Sequence, residues 1–199
     1  MDTNRSYNNQ QDNVNSKLRR RISLAPLKGG GTNRRTHKLV KKQGRLEYKP
    51  TFSIIMVYLF VISIGVIPGY FMLKNMGSIK TEAFLFPITF IGIGIISLIR
   101  CFRPNVFDLE KSVYWRGFKE EIAKKTELNE IAALQIISEN NSTSKASGGT
   151  TTYKSYELNL VLKNKTRVNV VDHGNYEKLA PEAEKISGIL DVPLWDEIH

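Results

Sequence analysis

Two uncharged apolar stretches set between polar flanks dominate the pattern of the chain. From Thr51 to Leu73 the sequence reads TFSIIMVYLFVISIGVIPGYFML, 23 residues without a charge, and AFLFPITFIGIGIISLI follows from Ala83, 17 residues ahead of Arg100. At about 1.5 Å per helical residue the first spans roughly 34 Å, enough for a hydrocarbon core of about 30 Å, and the second roughly 25 Å. Arg100 extends the second, because its stem lies in the apolar layer while its guanidinium reaches the headgroups. Neither stretch carries the polar face that a helix of this length shows in a soluble core. The turn from Lys74 to Glu82 is nine residues long and joins antiparallel neighbours. A transmembrane helical hairpin is therefore predicted over 50–103. Pro50 suits a helix start, and Pro68 and Gly69 fall near the far end of the first helix, where a kink is tolerated. Gly65, Gly92 and Gly94, with Ser63 and Ser97, are small enough to let the helices approach closely; Gly92 and Gly94 lack the GxxxG spacing of a dimer motif.

After Pro104 the period changes to two. Asn105 to Leu109 and Ser112 to Phe118 flank a Glu110-Lys111 turn and read as a hairpin, with Val113, Trp115 and Gly117 on one face and Tyr114, Arg116 and Phe118 on the other. Leu128 to Glu139 is a further strand candidate, although its Ala and Leu content also permits a helix. Asn140 to Thr152 reads as a mobile polar loop. Tyr153 to Lys163 alternates cleanly, Asn164-Lys165 makes a tight turn, and Arg167 to Val171 returns. A helix from about Asn175 to Leu190 carries Tyr176, Leu179, Ala183, Ile186 and Leu190 as one apolar stripe, capped by Asp172 or Asn175. Val192 to Trp195 then folds back over the core edge. The fold class is α+β: a two-helix transmembrane hairpin, then about five strands closed by a C-terminal helix over 104–199. A curved antiparallel sheet closed at one end by a helix is the architecture of pleckstrin-homology-like (PH-like) domains.

The order of two apolar helices, then FDLEKSVYWRGF (Phe107 to Phe118), then YELNLVLKNKTRVNVVDHGNYEKLAPEAEKISGILDVPLW (Tyr156 to Trp195), resembles small bacterial membrane proteins that carry a cytoplasmic PH-like domain behind a two-helix anchor. It is similar, more distantly, to the photosystem I assembly factor of chloroplasts and cyanobacteria. That family shares the two spans, a strand ending in an Arg-Gly-Phe-like segment (Arg116-Gly117-Phe118) and a helix ending before a Val-Pro pair (Val192-Pro193). The resemblance covers residues 50–195, and its motifs are structural rather than catalytic. It implies a scaffold or assembly role at a membrane, the bacterial inner membrane in the first group, and nothing about photosynthesis.

Charge changes the picture only for the first 50 residues. They hold 13 Lys and Arg against 3 Asp and Glu, whereas residues 51–199 hold 16 of each, so the formal net charge of +10 belongs to the tail. Residues 1–49 are predicted to be a disordered basic tail, with Gly29-Gly30-Gly31 as a flexible hinge. The glycines are no phosphate loop, since Lys28 precedes them and no Lys-Ser/Thr pair follows. Three readings of the tail stand side by side. Basic residues beside the first span hold both termini in the cytoplasm, with Arg100 and Arg103 on the same side. Arg19, Arg20, Arg21, Arg34, Arg35, Lys41, Lys42, Arg100 and Arg103 contact an anionic lipid surface, helped by Leu18, Ile22, Leu24 and Leu27. Nucleic-acid binding is the least supported, because only Tyr7 and Tyr48 offer stacking and no nucleic-acid fold is recognisable. In the folded part, Arg116, Lys119, Lys124 and Lys125 form a candidate headgroup patch, moderated by Glu120 and Glu121.

Candidate chemistry is sparse. His37, His173 and His199 are scattered, Cys101 sits at the edge of the second span as a plausible acylation position or an unmodified small residue, and no set has metal-ligand spacing. Asp172-His173 are chain neighbours whose side chains point apart on a strand. No catalytic residue, cofactor or metal is assigned. The expected function is that of a membrane-anchored, non-enzymatic adaptor or assembly factor that presents its PH-like domain to a protein partner. The alternative is a sensor of anionic lipid headgroups that uses the tail and the domain.

Overall fold

The computed structural model describes residues 15–78, 80–144 and 148–198. Its two long helices follow from the uninterrupted apolar runs. Helix α1 (Phe52–Lys74) and helix α2 (Leu85–Cys101), the latter entered through a 3₁₀ turn at Thr81–Phe84, are each long and apolar enough to cross a membrane. They pack antiparallel at two glycines. A Cβ built on Gly65 would lie 2.5 Å from the Pro87 carbonyl oxygen, and one on Gly94 would lie 2.5 Å from Ile62 Cγ1, while Gly92 faces open space. Of the three glycines expected at the contact, two therefore make it. We expect Gly65→Val or Gly94→Val to cost about 1–3 kcal/mol through forced separation of the pair, read as a lowered melting temperature in detergent. Gly92→Val should leave that temperature unchanged, and an equal loss at all three positions would contradict the packing.

The sheet around this pair is not built as the sequence predicts. Residues 37–50, expected in a disordered tail, form strands β1 (His37–Lys42) and β2 (Arg45–Pro50) around a turn in which Gly44 takes φ +63°. They continue into β3 (Asn105–Asp108), β4 (Val113–Arg116) and β5 (Lys125–Glu127), giving a five-stranded antiparallel sheet in the order β1-β2-β3-β4-β5. Strands β2 and β3 pair directly, from Arg45 opposite Asp108 to Tyr48 opposite Asn105, so the helical pair is the connection between two adjacent strands. The reason is the alternation of Leu46 and Tyr48, both almost fully buried, against the outward Arg45 and Glu47. The tail's charges mark the solvent side of an amphipathic hairpin. The unit following the helices is thus not self-contained in 104–199.

A second sheet holds β6 (Ile131–Ser144), β7 (Thr150–Leu162), β8 (Arg167–His173) and β9 (Leu194–Asp196) in the order β8-β7-β6-β9, with β9 parallel to β6. Leu128–Glu139 resolves into a 3₁₀ turn at Leu128–Glu130 followed by a strand, so its helical alternative is overturned by pairing with β7. The predicted loop over 140–152 is largely strand as well, with the ladder running out to Ser144 opposite Thr150; the centre of that loop lies outside the described residues. Among the described residues, seven strands stand after Pro104 where about five are expected, and two more precede the helices. Helix α3 (Tyr176–Leu190) has the predicted stripe, and the Asn175 side chain caps it by accepting from the Lys178 N–H at 2.9 Å. One core joins the layers: Leu46, Tyr48 and Phe107 from the first sheet meet Leu134, Ile136, Leu158 and Leu160 from the second and Leu179, Ala183 and Ile186 from α3.

Residues 16–36 strap across the outer face of the second sheet. Ile22 is buried with Ala133, Val161 and Trp195, so it is a core contact and not a free apolar anchor. Glu157, on the outer face of β7, accepts the backbone N–H groups of Leu27 and Lys28, and Glu139 accepts those of Gly30 and Gly31. The Tyr153 hydroxyl donates to the Gly31 carbonyl at 3.0 Å. The glycines are a docked crossing and not a hinge: a Cβ on Gly31 would meet Ser155 Oγ at 2.3 Å, and Gly30 takes φ +77°. No side chain fits where the strap lies this close. Residues 1–14 of the predicted tail lie outside the described residues.

Candidate functional site

Two clefts and one buried polar cluster carry the chemistry, and the sheet register fixes where each sits. In the first sheet the Tyr48–Asn105 and Asn105–Arg116 pairs mark the end from which the helices leave, and the Arg45–Asp108 and Asp108–Val113 pairs mark the far end.

At the helix end a cleft of about 410 Å³ lies between the last turn of α2 and the connection from β4 to β5. Arg100, Arg103, Arg116 and Lys119 contribute to its lining, as do Phe118 and Ile122. The connection is held from both sides. The Gly117 N–H donates to the Pro104 carbonyl at 3.1 Å, Arg103 Nη2 donates to the Arg116 carbonyl at 3.5 Å, and Glu120 is paired with Lys111 and Lys125 at 2.6 and 3.1 Å. Ala123 packs inward on Val106, Val113 and Trp115, which leaves Phe118 58% and Ile122 83% exposed. None of the four lining cations makes an ion pair among the described residues, and the Arg116 Nε is buried without a hydrogen-bond partner.

At the far end a larger cleft, about 650 Å³, opens between the strap and the start of the second sheet. Leu18, Leu128, Ile131 and Val192 supply an apolar floor, and Lys17, Arg21, Lys163 and Lys165 ring it, with Asp191 as the one lining carboxylate. The four cations make no ion pair among the described residues. Lys165 is set by the tight turn, where it takes φ +71°, and Asp191 by the left-handed C-cap of α3, φ +53°.

Also at the helix end, beside the contact of β1 with the end of α2, lies the polar cluster. His37 bridges Thr36 and the Cys101 carbonyl, with its Nε2 at 3.0 Å from that oxygen, and so ties β1 to the end of α2. As this Nε2 donates its proton to a carbonyl, Nδ1 accepts from the Thr36 hydroxyl when the ring is neutral. Burial holds the His37 pKa below its ordinary value, with the Arg116 charge adding to it and the Cys101 carbonyl opposing. His173 is fully buried; its Nδ1 accepts the Asn175 N–H at 3.0 Å, which leaves the ring proton on Nε2, without a partner among the described residues. Burial first, then the Arg35 charge, lowers its pKa to about 4. Arg35 is ion-paired with Glu182 of α3, and burial together with that carboxylate raises the Tyr48 hydroxyl well above its ordinary range. Asp172 faces the other side of β8, where it accepts from Asn169 at 2.8 Å. Among the described residues no three metal-ligating side chains come together.

Of the predicted surface cations, the structure brings together Arg100, Arg103, Arg116 and Lys119. Lys125 is paired with Glu120, and Lys124 is exposed on the same connection but does not line the cleft. The tail cations go elsewhere. Arg19 pairs with Glu197 at 2.7 Å, Arg35 with Glu182, Arg21 lines the far cleft, Arg20 and Arg34 are exposed on the strap, and Lys41 and Lys42 end β1 on the side away from the helices. His199 lies outside the described residues. The far cleft was not foreseen, since four separated segments build it. The chain matches no family model, no curated protein and no solved structure.

Proposed function

We propose that the chain is a membrane-anchored, non-enzymatic adaptor or assembly factor. In this reading the helical pair spans the bilayer, both termini are cytoplasmic, and the two-sheet unit with its closing helix is a PH-like domain carried at the cytoplasmic face of a bacterial inner membrane. The positive flanks of the pair support that orientation, and the strand interruption by the pair supports an anchor that is part of the domain rather than tethered to it. The observation that carries the adaptor reading is the far cleft. It opens at the end of the sheet opposite the helices, and its apolar floor beside four cations without an ion pair among the described residues fits a partner segment that alternates acidic and apolar residues.

The test is photo-crosslinking from a reactive side chain at Asn129 on the cleft rim, in the full chain in its native membrane. The reading expects a crosslink to a protein segment rich in Asp, Glu and apolar residues, strongly reduced by Lys163→Glu with Lys165→Glu, both exposed and outside the core. Crosslinks to lipid only, or a protein crosslink indifferent to both substitutions, would sink it.

A further inference from the structure

The cleft at the foot of the helices has a different occupant. We propose that it clamps the phosphate of an anionic phospholipid from the anchoring bilayer, while the connection between β4 and β5 dips Phe118 and Ile122 into the interface beside it. The inference rests on the membrane reading above and goes beyond it, because an anchored domain need not touch the bilayer with its own loops.

Three features point the same way. Arg100 lies in the last turn of α2 and Arg103 two residues past its end, so a cleft that they line lies at headgroup depth if α2 spans. The two exposed apolar side chains of the connection line this same cleft, and Ala123, which also lines it, ties the connection to Val106, Val113 and Trp115. Solvent exposure of 58% and 83% for a Phe and an Ile four residues apart, set among cations, is the pattern of an interfacial contact. The third feature is charge. Four cations meet with no acid in the lining, and Glu120, the nearest carboxylate on the connection with an assigned partner, is already neutralised by Lys111 and Lys125. Glu121 is exposed on the same connection outside the lining. A phosphate diester accepts several guanidinium and ammonium hydrogen bonds at once, which suits a lining of three arginines and a lysine. A free phosphate would satisfy the cations but would leave Phe118 and Ile122 in water; a lipid satisfies both.

The experiment uses the full chain in nanodiscs. Spin-labelled phosphatidylglycerol should be retained beside the protein several-fold over spin-labelled phosphatidylcholine, since each cation near a surface gives about a fivefold preference. Arg103→Gln with Lys119→Gln, both exposed, should bring the ratio close to one while the chain still melts in a single cooperative transition. Added inorganic phosphate should not displace the lipid. A nitroxide at Ile122→Cys in a Cys101→Ser background should be more accessible to oxygen than to a water-soluble nickel chelate. A label at Ile93→Cys, on the outward face of α2, reads the span independently. If position 93 is in hydrocarbon while position 122 is in water, or if the lipid ratio ignores both substitutions, the clamp is wrong and the anchor stands. If position 93 is in water, the anchor itself fails. Displacement by inorganic phosphate would overturn the lipid as occupant.

Discussion

A chain beginning at residue 104 should fail to fold, and one that joins residues 15–50 to 104–198 through a short Gly-Ser turn should fold. The pairing of β2 with β3 allows the second chain, because Tyr48 and Asn105 are already opposite each other where the helices leave. The first chain loses Leu46 and Tyr48 from the core, the Arg45 partner of buried Asp108, and the strap over the second sheet. Each large apolar truncation in a core costs about 2–5 kcal/mol, and a domain has roughly 5–15 kcal/mol in total. Leu46→Ala alone should therefore lower the stability of the joined chain by about 2–5 kcal/mol, read from its denaturant midpoint. Dispersed amide resonances from 104–199 alone would contradict the interleaved fold.

The second large effect is on acid stability. In the unfolded chain His173 titrates near 6.5, and in the fold near 4. The folded pKa is the lower one, so the unfolded state binds more protons between these values and stability falls as pH drops from 6.5 to about 4. Above 6.5 the contribution is complete and flat. At about 1.4 kcal/mol per pKa unit, the loss across the window is on the order of 2–3 kcal/mol. His37, also lowered, acts with the same sign. Carboxylates protonate below about pH 5 and add their own slope, so the comparison belongs between pH 6.5 and 5. There His173→Gln should flatten the dependence of the denaturant midpoint on pH, even though it lowers the plateau. The imidazole resonance of His173 should titrate near 4; a value at 6.5 would remove the explanation.

What could be read in advance divides by physical cause. The two helices are legible because nothing polar interrupts them. The strands of β7 and β8 and the stripe of α3 are legible because one face is buried and the other is not. The extension of β6 and β7 past Asn140 is not, since its Ser, Thr and Asn residues project from an exposed ladder with no core to pattern them. The β1–β2 hairpin was hidden by charge: Lys38, Lys41, Lys42, Arg45, Glu47 and Lys49 outnumber the two side chains that fix it. The alternation of Leu46 and Tyr48 after Gly44 was the available signal. The strap offers even less, because Glu139 and Glu157 hold it through backbone N–H groups, which any sequence possesses. The cleft at the foot of the helices was half visible. Arg100 and Arg103 on one side and Arg116 and Lys119 on the other belonged to separate groups until the Asn105–Arg116 pairing brought them together. The far cleft draws on residues 15–21, 128–132, 163–165 and 190–193, and no local pattern announces that.

The placement of the helical pair inside a strand pairing also sets an order of events. In synthesis order β2 precedes its partner β3 by the whole helical pair, so one edge of β2 stays unpaired until both helices have been made. In a membrane-spanning arrangement, Asn105 returns to the side of Tyr48 only when the second helix has crossed as well as the first. With one span inserted, β2 and β3 lie on opposite sides of the bilayer and the core has no way to close. If the pair spans a bilayer as proposed, closure of the domain then reports on insertion: a half-inserted chain would leave the edges of β2 and β3 unpaired and the Leu46–Tyr48 side of the core open, and a fully inserted one would not.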